Sequence, residues 1–298
     1  MIIDGKKISN TVLEDIKDRY LKIENRNPCK LVVVTVGNDK ASEVYVRNKK
    51  RACECVGFEF EHKRFSENDS YETINEYMHE KEFRDESVCG IILQMPVISN
   101  VLSKDDIGRL SMIGESLDVD GFTPYSDFMP CTPKGILKIL ESIPNFNYKG
   151  KIALVIGRSK IVGKPIAKLL LERDCTVIQA HSKTPKERLL RMFSFSDIVI
   201  SAVGKKDLIA EEDAYQYFKD NRHDFYGNFE NNKDRIIIDV GINRDEEGKL
   251  CGDFSEKFKE LYSDYYTPVP GGVGPMTVAM LIENVWESYC LHKGEIDD

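Results

Sequence analysis

The sequence predicts two α/β domains around a cleft, the second built on a doubly wound parallel sheet. Three observations carry this expectation. β-Branched runs of the kind buried inside parallel sheets recur along the chain, at residues 31–36, 88–94, 152–156, 197–202 and 235–240. Stretches of helical length and helical periodicity separate several of them. Glycine follows closely on the runs, as at Gly37, Gly157, Gly204 and Gly241, the punctuation of strand–turn–helix units.

Taken in order, residues 30–36 form the first buried strand, and Gly37-Asn38-Asp39 ends it. A helix is predicted over 42–56, closed by Gly57, which can take the left-handed conformation of a helix end. Residues 59–65 are a second strand and 70–83 an amphipathic helix. The strand at 88–94 stops at Pro96, which cannot donate to a ladder. The second half begins near Pro124. Residues 132–142 read as a helix with Thr132 as cap and Pro133 at its first position. A strand at 151–156, a turn at 157–163 and a helix at 165–173 follow, then strands at 175–180, 197–202 and 235–240. This is the Rossmann-type arrangement. The stretch between Gly204 and Arg235, rich in Asp, Glu, Asn, Tyr and Phe, reads as a surface insertion with some helix and no chemistry.

Composition narrows the classes. With 298 residues the chain can hold two medium domains, and 41% apolar with 31% charged residues suits a globular enzyme. No apolar run approaches the roughly 20 residues that span a bilayer. Residues 1–7 lack the order of a signal peptide. The chain is therefore expected in the cytoplasm, away from membranes. Eight scattered cysteines without a Cys-x-x-Cys read as reduced, mostly buried thiols. Five isolated histidines give no metal-ligand spacing, so no metal is expected. A net charge of −8 argues against a nucleic-acid partner, though a local basic pocket for a phosphate remains open.

Five places could carry chemistry. Residues 267–277 hold three glycines and three prolines in eleven positions, a rigid loop whose backbone can approach a ligand, or an elaborate turn. Thr277 is expected to cap the helix after it. The turn from Gly157 to Gly163 follows a strand and opens a helix, as a dinucleotide phosphate site requires, with Arg158 and Ser159 in reach. The next strand ends in His181, Ser182 and Lys183. An acid there would bind the ribose diol of NAD; its absence favours the 2′-phosphate of NADP. Tyr45 and Lys49 stand four apart on one helix face, placed for acid–base work or simply part of a solvated basic face with Arg47, Lys50 and Arg51. Gln94 ends a buried strand, where α/β folds place ligands. Asp118 and Asp120, two apart in an extended segment, would point the same way and could bind a metal, act in acid–base work or clamp an aminopyrimidine; the plainer reading is a turn before Gly121.

Together these residues resemble the bifunctional methylenetetrahydrofolate dehydrogenase/cyclohydrolase family. The matching pieces stand in family order along nearly the whole chain. They are Ser42-x-x-Tyr45-Val46-x-x-Lys49-x-x-Ala52-Cys53, Gly90-Ile91-Ile92-Leu93-Gln94-x-Pro96, Asp118-Val119-Asp120-Gly121-Phe122 and Pro130-Cys131-Thr132-Pro133-Lys134-Gly135. Then come Gly157-Arg158-Ser159-x-Ile161-Val162-Gly163-x-Pro165, Ile238-Asp239-Val240-Gly241-Ile242-Asn243 and residues 267–277. Leu117 stands where the family usually has lysine, and Ile98 where it usually has a second proline.

The resemblance implies oxidation of 5,10-methylenetetrahydrofolate to the methenyl form with NADP, then hydrolysis to 10-formyltetrahydrofolate. It makes Lys49 the acid–base group, Tyr45 a stacking residue, Gln94 the partner that tunes Lys49, and Asp120 the clamp on the pterin. Pro270, Gly271 and Gly274 would join Tyr45 and Asp120 in binding substrate. Thr132, Gly157, Arg158, Ser159, Gly163, Ser182, Ala202, Ile242 and Thr277 would bind the cofactor. It implies a folate-binding catalytic domain of residues 1–122 plus 278–298, a Rossmann domain of 123–277, and a homodimer. A hydroxy- or amino-acid dehydrogenase would need a catalytic His or Arg/Asp set after the Rossmann strands, and none is found. A non-catalytic folate binder would not need Lys49.

Overall fold

The computed structural model describes residues 1–220 and 235–293, and within them the chain divides into two compact units. One comprises Ser9–Cys131 and the chain from Val278 on; the other comprises Met1–Ile8 and Thr132–Thr277.

The unit that starts at Ser9 contains most of α1 (Gly5–Lys22), then β1 (Lys30–Val36), α2 (Lys40–Val56), β2 (Glu59–Phe65), α3 (Tyr71–Arg84), β3 (Val88–Leu93) and α4 (Lys104–Leu110). Its three strands are parallel in the order β2-β1-β3. The central strand is buried from Leu31 through Val36, which is why Leu-Val-Val-Val shows no polar alternation. On one face Val32, Val34, Ile91 and Leu93 pack with Ile74 and Met78 of α3 and Leu110 of α4. Elsewhere in the unit Tyr20 stands edge-on to Phe58 at 5.0 Å and to Tyr289 at 5.5 Å, and Trp286 stacks on Tyr289. Residues 115–120 are a series of turns, not the expected extended segment. Gly121, at φ 70°, donates to the Asp118 carbonyl and closes the last of them.

The other unit runs through α5 (Cys131–Glu141), β4 (Ile152–Ile156), α6 (Gly163–Leu171), β5 (Thr176–Ala180), α7 (Lys186–Phe195), β6 (Ile198–Ser201), α8 (Glu211–Asp220) and β7 (Ile236–Asp239). A hairpin of β8 (Asn243–Arg244) and β9 (Leu250–Cys251) follows, then α9 (Glu256–Tyr262), β10 (Tyr265–Tyr266) and the first residues of α10 (Val273–Lys293). Five parallel strands stand in the order β10-β7-β6-β4-β5. The chain therefore winds one way from β4 to β5 and the other way from β6 on. The switch point lies between β4 and β6, and ligands of such sheets bind outside the carboxyl ends there. Leu154, Ile156, Val199 and Ile237 form the core with Phe193, Phe254 and Phe258, the last two stacked at 4.9 Å. α8 supplies helix to the expected insertion; its remainder, 221–234, lies outside the described residues.

Two helix starts differ from expectation. α5 begins at Cys131, so Thr132 lies within its first turn and not at the cap. α10 begins at Val273, so Thr277 is also inside the helix, its hydroxyl donating to the Val273 carbonyl. In both cases a proline, Pro133 or Pro275, sits among the first four helical residues, where a missing N–H costs nothing.

Candidate active site

The helix α2 is well specified at both ends. Asp39 caps it, its carboxylate accepting from the Ser42 N–H at 2.7 Å, and Gly57 closes it at φ 88°. Along it Val46, Lys49 and Cys53 are buried while Arg47, Lys50 and Arg51 are exposed. Lys49 therefore does not belong to the solvated basic face; it is only 9% exposed. Tyr45, one turn earlier, is 45% exposed and presents a free aromatic surface.

The Lys49 ammonium donates to Gln94 Oε1 at 3.0 Å and lies 3.8 Å from Asp120 Oδ2. Gln94 is fixed in turn. Its backbone N–H donates to the Val34 carbonyl, and its Nε2 donates to the Met95 carbonyl at 2.8 Å, which also accepts from the Ser42 hydroxyl. That bond orients the amide so that its oxygen faces the lysine. Lys49, Gln94 and Asp120 thus converge from a helix, a strand end and a turn. Cys53, a turn beyond Lys49, is pushed up to about 12 by burial, so its thiol stays protonated and is no nucleophile.

The two aspartates diverge. Asp118 turns inward, is buried, and accepts from the Thr123 N–H at 2.8 Å; burial lifts its carboxyl above the usual range. Only Asp120 reaches Lys49, so the turn reading holds for Asp118. Two residues that sequence reasoning missed support this turn. Asn284, fully buried in α10, donates to the Val119 and Met129 carbonyls at 2.8 and 3.0 Å. Ser288 donates to the Ser116 carbonyl at 2.7 Å. The signal was a lone asparagine inside the apolar run 278–286.

In the doubly wound sheet the Gly157 turn leaves β4 beside the switch point. Gly157 has φ 126°, and a Cβ there would lie 2.6 Å from the Ala202 carbonyl oxygen, at the end of β6. A Cβ on Gly163 would meet the Gly157 carbonyl at 2.4 Å. Both positions require glycine, so the turn packs against itself and its neighbour loop. Ser159 Oγ accepts from the Val162 and Gly163 N–H groups, both at 3.1 Å, which shapes the turn and leaves its own proton for an acceptor. Arg158, Ser182 and Lys183 are exposed at the ends of β4 and β5, which pair through Ile156 and Ala180. No carboxylate stands among residues 181–183. This donor set fits an anionic dinucleotide carrying an extra phosphate. Ile242, 54% exposed, follows β7. Thr132 and Thr277 join hydroxyl to hydroxyl at 3.0 Å. In the Gly-Pro loop Gly271 takes φ 108° and its carbonyl accepts from the Lys6 N–H, while a Cβ on Gly274 would meet open space. Pro270 follows a cis bond from Val269.

A parallel sheet with a glycine turn at its switch point, and a buried lysine held by an amide and a carboxylate, define a two-unit nucleotide-binding α/β enzyme. Residues 3–120 match the catalytic domain of tetrahydrofolate dehydrogenase/cyclohydrolase, and residues 130–217 and 228–293 match its NAD(P)-binding domain. The chain belongs to the tetrahydrofolate dehydrogenase/cyclohydrolase family. It is 40% identical to the bifunctional protein FolD of Magnetococcus marinus, with 96% of each chain covered, and 38% identical to that of Streptococcus thermophilus, with 97% covered. Among solved structures it resembles the FolD enzyme of Campylobacter jejuni, at TM-score 0.84 and 34% identity over 99% of both chains. It also resembles the Trypanosoma brucei enzyme, complexed with NADP cofactor and inhibitor, at TM-score 0.82 and 27% identity over 97% of both chains.

Proposed function

We propose that the chain oxidises 5,10-methylenetetrahydrofolate to 5,10-methenyltetrahydrofolate with NADP and then hydrolyses the product to 10-formyltetrahydrofolate. The observation that carries the reading is the Lys49–Gln94–Asp120 convergence, on a chain whose family performs both reactions. NADP supplies the hydride acceptor when bound. The unit holding Lys49 is the folate-binding catalytic domain, and the doubly wound unit holds the cofactor.

Each residue has a task that its surroundings suit. Tyr45 offers an exposed ring on which a flat pterin can stack. Asp120 offers a carboxylate that matches the paired donors of an aminopyrimidine. The family resemblance also assigns Pro270, Gly271 and Gly274 to substrate binding. The methenyl carbon is electrophilic, so hydrolysis needs a group that takes the proton from the attacking water, and the Lys49 amine is that group in its unprotonated form. Gln94 Oε1 holds the amine in place while the proton moves. The oxidation needs orientation more than proton transfer. Arg158, Ser159, Ser182, Thr132, Gly157, Gly163, Ala202, Ile242 and Thr277 serve the cofactor, with Arg158 reading the 2′-phosphate.

Among the described residues no helix is long and apolar enough to cross a membrane. We place the enzyme in the cytoplasm as a homodimer; a sedimentation mass of one 34.1 kDa chain at micromolar concentration would refute the dimer. The activity is tested by absorbance: the purified chain with methylenetetrahydrofolate should form NADPH from NADP, and much less NADH from NAD. Arg158→Ala should raise the KM for NADP far more than that for NAD. Equal effects on the two would show that Arg158 does not read the 2′-phosphate.

A further inference from the structure

Asp253 has no part in the chemistry above, yet its carboxylate is fully buried and takes four hydrogen bonds. Oδ2 accepts from the Ser201 hydroxyl at 2.6 Å and the Val203 N–H at 3.0 Å. Oδ1 accepts from the Lys205 N–H at 2.8 Å and the Asn243 side-chain amide at 3.0 Å. The first three donors belong to the end of β6 and the loop leaving it; the fourth belongs to the segment leaving β7. These strands are adjacent and parallel, with Ser201 opposite Asp239, so both segments emerge at the carboxyl edge of the sheet. That edge carries Ala202 and Ile242 and is where such sheets hold nucleotides. Asp253 is itself held: its N–H donates to Asp239 Oδ1 at 3.0 Å, and its carbonyl accepts from the Leu208 N–H at 2.9 Å. Room is kept for it, since a Cβ on Gly241 would lie 2.1 Å from Asp253 Oδ1.

We propose that Asp253 is a positioning residue for the nicotinamide cofactor, a buried carboxylate that ties the loops after β6 and β7 into the one arrangement NADP binds. An ionised acceptor suits this task, because hydrogen bonds to a charged group are about twice as strong as neutral ones. Loops without it sample other arrangements, and affinity falls by the fraction of time the competent one is lost. The inference rests on the dehydrogenase reading above and adds a split to it. NADP binding and oxidation depend on Asp253, whereas methenyl hydrolysis, assigned to Lys49, does not.

Asp253→Asn keeps the shape but turns an amide N–H₂ toward N–H donors, so bonds at one of the two oxygen positions are lost. Calorimetry with NADP alone should show Kd raised about 10-fold or more, the effect of losing a bond to a charged group. The KM for NADP should rise in step, with methenyltetrahydrofolate hydrolysis at the wild-type rate. Asn243→Ala removes the Asp253 link to the loop after β7, together with the Asn243 bond to the Gly252 carbonyl, and should weaken NADP by a smaller factor. Unchanged NADP affinity in a folded Asp253→Asn protein overturns the proposal. So does an equal loss of both activities, which would mark a role in folding alone. Should Asp253→Asn not fold, normal NADP affinity in Asn243→Ala overturns it. Failure of the dehydrogenase reading would show separately, as wild-type protein that forms no NADPH from methylenetetrahydrofolate.

Discussion

Lys49 is held by partners of different kinds, an amide oxygen at 3.0 Å and a carboxylate at 3.8 Å, and each constrains it differently. The amide fixes position without adding charge, while the carboxylate sets an acidic group beside the reacting amine. A group that must take and return a proton needs both placement and a way to change charge. General acid–base catalysis is worth about 100- to 10,000-fold, so Lys49→Met should lower methenyl hydrolysis by that order while NADP binding persists. Gln94→Ala should also slow hydrolysis. The two changes together should cost less than the product of the single losses, because coupled residues are not additive. Oxidation should fall less in each. Near-wild-type hydrolysis by the Lys49 variant, measured by loss of methenyltetrahydrofolate, would remove Lys49 from the mechanism. Spacing alone put Tyr45 and Lys49 on one face. It could not tell that Lys49 leaves the basic cluster for the interior, because burial depends on what packs against the helix. The divergence of Asp118 from Asp120 was hidden for a similar reason: a string of turns broke the two-residue alternation, and only Gly121 hinted at it.

At the scale of elements, the buried strands were readable because both of their faces are covered, and Leu-Val-Val-Val can be little else. The helices α1 and α4 were not anticipated. α1 carries long polar stretches around Ile16 and Tyr20, and its burial depends on aromatics that come from far along the chain. α4 is seven residues, too short for a periodicity to show, although Ser103 and Asp106 form a reciprocal capping box at its start. The helix α2 has the clearest design, with an acid at its cap and glycine at its close. Because α2 carries Tyr45 and Lys49, its first turn should matter to activity as well as to stability. Asp39→Ala removes the acceptor for the Ser42 N–H and should cost about 1 kcal/mol, as N-cap losses do. Denaturant unfolding would read this as a lower midpoint with an unchanged slope. A midpoint equal to the wild type would mean that the cap contributes nothing here.

For the molecule as a whole, acid titration should carry an unusual sign from one buried site. Most shifted carboxylates here are of the ordinary kind. Asp85, held by Ser87 and the Lys30 ammonium, and Glu61, held by Tyr77 and Lys81, lie below the usual carboxylate range despite the opposing effect of burial. Their contributions are present above the unfolded values and are lost as pH falls. Asp239 runs the other way. Burial pushes it up to about 6, outweighing the N–H groups of Phe254 and Asp253 and the Lys259 ammonium at 4.0 Å. Between its ordinary value of 3.8 and about 6, the folded chain holds a proton that the unfolded chain has lost. Stability from this group is therefore complete below about 4, declines as pH rises through about 6, and is gone above it. A shift of roughly two units corresponds to something on the order of 3 kcal/mol. Asp239→Asn cannot titrate. The difference in Tm between variant and wild type, measured without ligand, should climb in the variant's favour from pH 4 to 6.5 and then stay level. The lost acceptor shifts the whole difference by a constant, and only the slope tests the ionisation. A difference independent of pH across that range would show that Asp239 stays ionised in the folded chain, the N–H groups of Gly241, Asp253 and Phe254 outweighing burial.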